Sequence, residues 1–401
     1  MNEVVKDLVM IQELLCADSS KIAIAQLNAP KTLNGLTLEM TRILAQQLDQ
    51  WARDASVAIV MLRGAGDKAF CAGGDLHSLH HSMLENVSGR PQDNHYAATF
   101  FAEEYALDYR IHTYPKPILV WGDGIVMGGG MGLMMGASHR VVTETTRMAM
   151  PEISIGLFPD VGGTWLLNRL PGHAGLFLGL TGAQLNASDA LFAGMGDYHV
   201  LREKWPTLLT ALTAKSWKHV SENVGESSSD SAQAALSVNH AQLDSILDSL
   251  ATEPAVTVKP LQEHLALIRK LCSGSELELI VKNILSLSGH QDPWLQRAAN
   301  TLAHGSPGSA RLTFALLQHN KLLSLAEVYR VEWVAGLMAA AHGDFAEGIR
   351  ALLIDKDKQP KWHPSTLSQA DDQWVQKFFT LPFPAEQHPL YRLGEIDSVV
   401  N

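Results

Sequence analysis

Residues 118–137 read ILVWGDGIVMGGGMGLMMGA. Ile118–Trp121 is a short dense apolar run, the pattern of a buried strand. Gly122, Asp123 and Gly124 break it, and the stretch from Met127 onward starts a helix. Glycines at 128, 129, 130 and 132 thus sit between a strand and a helix. A helix N-terminus offers free N–H groups and the positive end of a dipole, which suit a developing negative charge. Close glycine-mediated packing explains the same run equally well. The spacing fits neither GxGxxG nor a P-loop, so no dinucleotide fingerprint is supported.

The same rhythm extends outward. Lys21–Leu27 alternates polar and apolar as a strand does. Asn34–Ala55 carries Met40, Ile43, Leu44, Leu48 and Trp51 at helical spacing, with Thr37 as an N-cap. Val57–Arg63 is a buried strand closed by Gly64–Gly66, and Val141–Thr143 and Arg147–Met150 read as two more. Residues 85–95 read as an exposed loop, followed by a helix through Phe100–His112. Beyond residue 200 the strands stop, and helices are expected over 205–222, 232–251, 258–272, 276–287, 308–320 and 324–342. The polar run at 227–231 is a further candidate break. The expected organisation is an α/β core over 21–204, an N-terminal extension over 1–20 and a helical C-terminal region over 205–401.

Three other stretches could carry chemistry. Ala69–Leu76 (AFCAGGDL) follows a buried strand, and its small residues let a backbone N–H approach a ligand. Glu152 and Asp160 stand eight residues apart among Pro, Gly, Ile, Leu and Phe. Such a segment cannot be one regular helix, and it can curl so that both carboxylates face one pocket. Acids in apolar surroundings are costly to bury without a purpose, and two solvated loop acids fit the same residues equally well. Phe100, Phe101, Glu103, Glu104 and Tyr105 form a weaker piece that also fits an ordinary surface helix. His77, His80 and His81 read as surface residues, and neither GxSxG nor HExxH occurs. Cys16, Cys71 and Cys272 are far apart, so neither a disulfide scaffold nor a zinc site is expected. The net charge of −11 disfavours nucleic acid and anionic lipid as partners. No apolar run is long enough for a membrane span. The first residues lack a basic segment ahead of an apolar one, so a cytoplasmic location is the expectation.

AFCAGGDL, GDGIVMGGGMGL and MPEISIGLFPDVGGTWLLNRLPG, in that order and after LNAPKTLNGLT, together resemble the enoyl-CoA hydratase/isomerase (crotonase) superfamily. Within it, HGDFAEGIRALLIDKDKQPKWHP near the C-terminus resembles the terminal signature of 3-hydroxyisobutyryl-CoA hydrolases. The resemblance implies a ClpP-like spiral of ββα turns and an oxyanion hole made by the N–H groups of Gly74 and Gly129. It makes Glu152 the catalytic carboxylate, as nucleophile or as general base, and Asp160 the hydrolases' additional acid. It gives Glu104 a contact with the substrate. Ala72, Asp75 and Leu76 match the CoA-binding stretch, and Lys31 a cationic position near the nucleotide phosphates. The first acid of the hydratases falls on Gly132, a departure that argues against hydration of a double bond. No cofactor or metal is implied, since CoA arrives as part of the acyl-CoA substrate. The expected reaction is hydrolysis of 3-hydroxyisobutyryl-CoA, a step of valine breakdown, with 3-hydroxypropionyl-CoA as the near alternative. A hydratase or isomerase and a non-catalytic acyl-CoA-binding relative are the rival readings. A homo-oligomer is left open, because the long C-terminal region could cover the surface through which crotonases assemble.

Overall fold

The structure is a computed structural model that describes residues 8–218, 229–255 and 258–395. The expected break at 227–231 lies partly outside the described residues, as does the end of the helix expected over 205–222, which is described over Trp205–Thr213. By its contacts the chain groups into two compact units that interleave along the sequence. One comprises Met1–Gly74, Arg110–Met148 and Leu185–Gln262; the other comprises Asp75–Tyr109, Ala149–Gln184 and Glu263–Asn401.

The strands gather in the first unit. In chain order they are β1 (Val9–Leu15), β2 (Lys21–Leu27), β3 (Val57–Gly64), β4 (Ala69–Cys71), β5 (Ile118–Gly122), β6 (Ile125–Met127), β7 (His139–Val142), β8 (Arg147–Ala149), β9 (Leu185–Asn186) and β10 (Tyr198–His199). Six form a sheet in the order β1-β2-β3-β5-β7-β10, and β4-β6-β8-β9 form a second. From β3 to β8 successive strands alternate between the sheets. After β4 come α2 (Leu76–Glu85) and α3 (His95–His112), and after β6 comes α4 (Gly129–Met135). A turn of the chain therefore adds one strand to each sheet and then a helix, which is the ββα repeat of a spiral. β2, β3, β5 and β7 pair in parallel, and β3 and β5 are buried almost throughout. That burial is why they read as continuous apolar runs rather than alternating ones.

β1 was not apparent in the sequence. It pairs antiparallel with β2 from Val9↔Leu27 to Leu15↔Lys21, but most of its residues are exposed at the sheet edge. An edge strand packed on so little has no strong periodicity to read. One face of the large sheet packs Ile22, Ile24, Ile59, Met61, Leu119, Trp121 and Val141 against Leu208 and Leu212 of the helix Trp205–Thr213. Leu243 and Leu247 of the helix Ser229–Leu250 join the same core. Helix α1 (Leu38–Arg53) starts where Thr37 accepts a hydrogen bond from Met40 N–H. It ends where buried Lys116 donates to the carbonyls of Trp51 and Asp54, at 2.6 and 2.7 Å.

The second unit is built from helices. Leu325–Ala341 is largely buried, and the Trp333 indole N–H donates to the Ala98 carbonyl of α3 at 2.9 Å. Among the described residues, no helix is long and apolar enough to cross a membrane.

Candidate active site

In the first unit, β4 and β6 run in parallel, with Ala69 opposite Ile125 and Cys71 opposite Val126. Their carboxyl ends therefore reach the same edge. Gly73 and Gly74 follow one strand, and Gly128 and Gly129 follow the other. Gly73 has φ +114°, and a Cβ there would lie 3.7 Å from the Met127 carbonyl oxygen. A Cβ on Gly130 would lie 2.2 Å from the Cys71 carbonyl oxygen, so α4 starts against β4 at a distance that only glycine permits. Leu36 bridges Gly74 in parallel and donates its N–H to the Gly73 carbonyl at 2.8 Å. In such a bridge Leu36 supplies both bonding groups, and the Gly74 N–H turns the opposite way. Gly129 is the first residue of α4, so its N–H has no acceptor within the helix. Both expected donors thus stand at one strand edge with N–H groups not used by the scaffold. Gly132 is buried inside α4.

The residues expected on the CoA side are placed differently. The Ala72 N–H donates to the Leu33 carbonyl at 3.1 Å. The Asp75 carboxylate caps α2, accepting from Ser78 N–H at 3.2 Å and Ser78 Oγ at 2.6 Å. Leu76 opens that helix, and Lys31 is exposed in the 3₁₀ turn Pro30–Thr32.

The carboxylates belong to the second unit. Glu152 opens a buried 3₁₀ turn, Glu152–Ile155, and its Oε2 receives no hydrogen bond. Burial holds its carboxyl well above the ordinary range, and the Asp160 charge adds to this. Asp160 is also buried, and its Oδ2 accepts from the Tyr105 hydroxyl at 2.7 Å. Burial raises its pKa to about 6, against the opposing pull of that hydrogen bond. Glu104 on α3 is 2% exposed with Oε1 unpartnered, and burial followed by the Asp160 charge pushes its pKa upward. Glu104, Glu152 and Asp160 therefore belong to one network of buried acids.

Sequence reading missed two members of that network. Asp108 lies one turn beyond Glu104 on α3, fully buried. Glu332 sits in the helix Leu325–Ala341, also fully buried. Its carboxylate accepts from Gly162 N–H at 2.7 Å, Thr164 N–H at 3.0 Å and Thr164 Oγ at 2.5 Å. These bonds pin the loop that carries Asp160. The available signals were an acid four residues after Glu104 and an acid inside the run VYRVEWVAGLM.

The turn that carries Glu152 is held by the C-terminal signature. The Ser306 N–H donates to the Ile153 carbonyl at 3.0 Å, and the Ser306 hydroxyl donates to Asp344 Oδ2 at 2.6 Å. The second oxygen of Asp344 accepts from the His363 N–H at 2.7 Å. Gly156 has φ +76°, and a Cβ there would lie 2.2 Å from the Asp344 carbonyl oxygen. A Cβ on Gly348 would lie 2.3 Å from the Ile155 carbonyl carbon. Neither neighbour is a side chain that could swing away. Gly348→Ala should therefore push the Glu152 turn off its seat, costing about 1–3 kcal/mol of stability and lowering kcat as well. Denaturant unfolding and a rate assay on the same preparation check both effects.

The family model for enoyl-CoA hydratase/isomerase matches residues 22–379. The mitochondrial 3-hydroxyisobutyryl-CoA hydrolase of Danio rerio is 40% identical over 368 residues, 92% of this chain and 89% of that protein. The Homo sapiens protein of the same name is 34% identical over 374 residues, 92% of this chain and 88% of that protein. Among solved structures, a carnitinyl-CoA dehydratase from Mycobacterium thermoresistibile matches with a TM-score of 0.79 at 33% identity, covering 94% of this chain and 98% of that one. An enoyl-CoA hydratase from Rhodobacter sphaeroides 2.4.1 gives 0.76 at 31% identity, with 93% and 97% covered. The expectation of a cytoplasmic location is overturned here, because the hydrolase relatives are named as mitochondrial. Net charge and a handful of residues carry no compartment address, which is read by receptors rather than set by the fold. The alternating strands, the two glycine-edged donors and similarity along nearly the whole chain lead to one conclusion: this chain belongs to the enoyl-CoA hydratase/isomerase family.

Proposed function

We infer that the protein hydrolyses 3-hydroxyisobutyryl-CoA to 3-hydroxyisobutyrate and CoA, the activity for which its relatives at 34–40% identity are named. The observation that carries this reading is the acid pattern. Glu152 is a buried carboxyl with an unpartnered oxygen, Asp160 stands beside it in the same network, and the position of the hydratases' first acid is Gly132. Addition of water to a double bond, as hydratases perform it, uses two opposed glutamates. Attack on a thioester needs one carboxylate and a place for the oxyanion.

The N–H groups of Gly74 and Gly129 are assigned the oxyanion. Loss of one such donor in acyl-transfer enzymes costs ~2.7–4 kcal/mol, so they carry much of the rate. Glu152 attacks the carbonyl to form a mixed anhydride that water then opens, or it takes a proton from attacking water. Both routes need it ionised, and thiolate leaves readily from the tetrahedral intermediate. Asp160 orients water or the substrate hydroxyl, and Glu104 accepts a hydrogen bond from that hydroxyl. Joining the glycines and the carboxylates in one reaction rests on family membership. CoA enters with the substrate, and no further cofactor takes part. The reaction belongs to valine breakdown.

The test is free thiol release from 3-hydroxyisobutyryl-CoA, 3-hydroxypropionyl-CoA, isobutyryl-CoA, acetyl-CoA and crotonyl-CoA. Fast release is expected from the two 3-hydroxy esters only. Hydration of crotonyl-CoA with no thiol release from any ester would defeat the hydrolase reading.

A further inference from the structure

Glu104 and Asp108 lie one turn apart on α3, so their carboxyls share a helix face. Asp108 has no exposed surface, and neither of its oxygens receives a hydrogen bond from any described residue. Glu104 Oε1 is equally bare. The ionisable groups acting on Asp108 are Glu104 on its own helix, Asp160 from the loop after the Glu152 turn and Glu332 from the helix Leu325–Ala341. The phenol of Tyr329 on that last helix also lies within their influence. Among the described residues no Lys, Arg or His pairs with Glu104, Asp108, Glu152, Asp160 or Glu332. Nor do three acids converge so that they could hold a metal ion.

A buried carboxylate with neither counter-charge nor donor is costly, and each further negative charge raises the cost of the next. The cluster therefore holds protons, and the question is where. Asp160 has the Tyr105 hydroxyl, and Glu332 has three donors. Asp108 has none. No N–H or O–H of a described residue reaches Asp108 or Glu104 Oε1, and a proton on one of these two carboxyls supplies a donor between them. Asp108 loses least by carrying it.

We propose that Asp108 is a neutral carboxylic acid that donates its proton as a hydrogen bond to Glu104, a positioning residue that keeps Glu104 ionised and aimed at the hydroxyl of the acyl group. This rests on the hydrolase reading, in which Glu104 accepts from that hydroxyl. Asp108 then contributes to the preference for 3-hydroxy esters without touching them.

Two variants and one spectrum test this. Asparagine has the shape of a neutral aspartic acid and keeps a donor, whereas leucine keeps the volume and has none. Asp108→Leu should raise KM for 3-hydroxyisobutyryl-CoA by roughly 10–100-fold, the effect of losing one buried hydrogen bond to a charged group. The loss on isobutyryl-CoA, which has no hydroxyl, should be several-fold smaller. Asp108→Asn should restore most of what Asp108→Leu loses. The infrared difference between wild type and Asp108→Asn at neutral pH should show the loss of a protonated-carboxyl C=O band. Loss of a carboxylate band instead, or an Asp108→Asn enzyme as impaired as Asp108→Leu, overturns the proposal. The infrared result stands even if Asp108→Leu does not fold. It also stands if the wild type releases no thiol, which would sink the hydrolase reading and not the protonation of Asp108.

Discussion

Glu152→Gln lowers thiol release from 3-hydroxyisobutyryl-CoA by about 10²–10⁴-fold, the range expected when a carboxylate that handles the proton or the acyl group is lost. The amide is nearly isosteric with the acid, and Glu152 Oε2 has no hydrogen bond to forfeit. Unfolding free energy should therefore be unchanged or slightly raised, because a buried group that resists ionisation has been replaced by a neutral one. A large drop in kcat with intact stability is the signature to look for. A variant with wild-type kcat removes Glu152 from the chemistry. The same carboxyl predicts the pH profile. Burial, helped by the Asp160 charge, lifts Glu152 above the usual carboxylate range, so the active ionised form gains population at higher pH than an exposed glutamate would. The rate should climb from acid toward neutral pH. A profile flat from about pH 4 to 9 contradicts that assignment.

Glu332→Ala should cost several kcal/mol of stability, at about 1–3 kcal/mol for each buried donor left unsatisfied. It strands two backbone N–H groups, those of Gly162 and Thr164, together with the Thr164 hydroxyl. Because these groups fix the loop around Asp160, activity should fall with stability. Glu332→Gln gives the pH dependence its sign. Burial pushes the Glu332 carboxyl up to about 8, above the 4.5 expected of it unfolded. The folded state then binds the proton more tightly than the unfolded state, so this group's contribution is fully present below pH 4.5 and is lost as pH rises to about 8. The stability advantage of wild type over Glu332→Gln should shrink across that window and level off above it. Denaturant titrations at several pH values measure the difference. An advantage that grows with pH would mean that Glu332 is ionised throughout.

The candidate site residues that were legible in the sequence are those that stand in contiguous motifs. The glycines at strand-to-helix junctions were visible locally, but close packing explained them equally well, and only the family resemblance singled out Gly74 and Gly129. Glu152 and Asp160 were visible as acids among proline, glycine and large apolar residues, but only tertiary structure showed them to be buried rather than solvated. Asp75 was legible as part of AFCAGGDL, yet its carboxylate is engaged in capping α2, a role that the N-cap position and Ser78 define. Asp108 and Glu332 were not legible. An acid one turn from another on a helix, or alone in an apolar helix, has the same pattern whether it meets solvent or the interior.

By itself the sequence determined an α/β core followed by helices, and the spiral entered only with the family resemblance. Continuous apolar runs at β3 and β5, each closed by glycine, point to strands buried on both faces, and such parallel strands need helices over them. It also determined which acids to test first and, through Gly132, which reaction to doubt. Tertiary structure alone decided what surrounds those acids. Asp344 and Gly348, nearly two hundred residues beyond Glu152, seat its turn through contacts that leave no room for a Cβ. Glu332 gathers three donors from a loop some 170 residues earlier in the chain. Whether a carboxyl keeps its charge depends on the water and the donors around it, and in this protein those are supplied by segments distant in sequence.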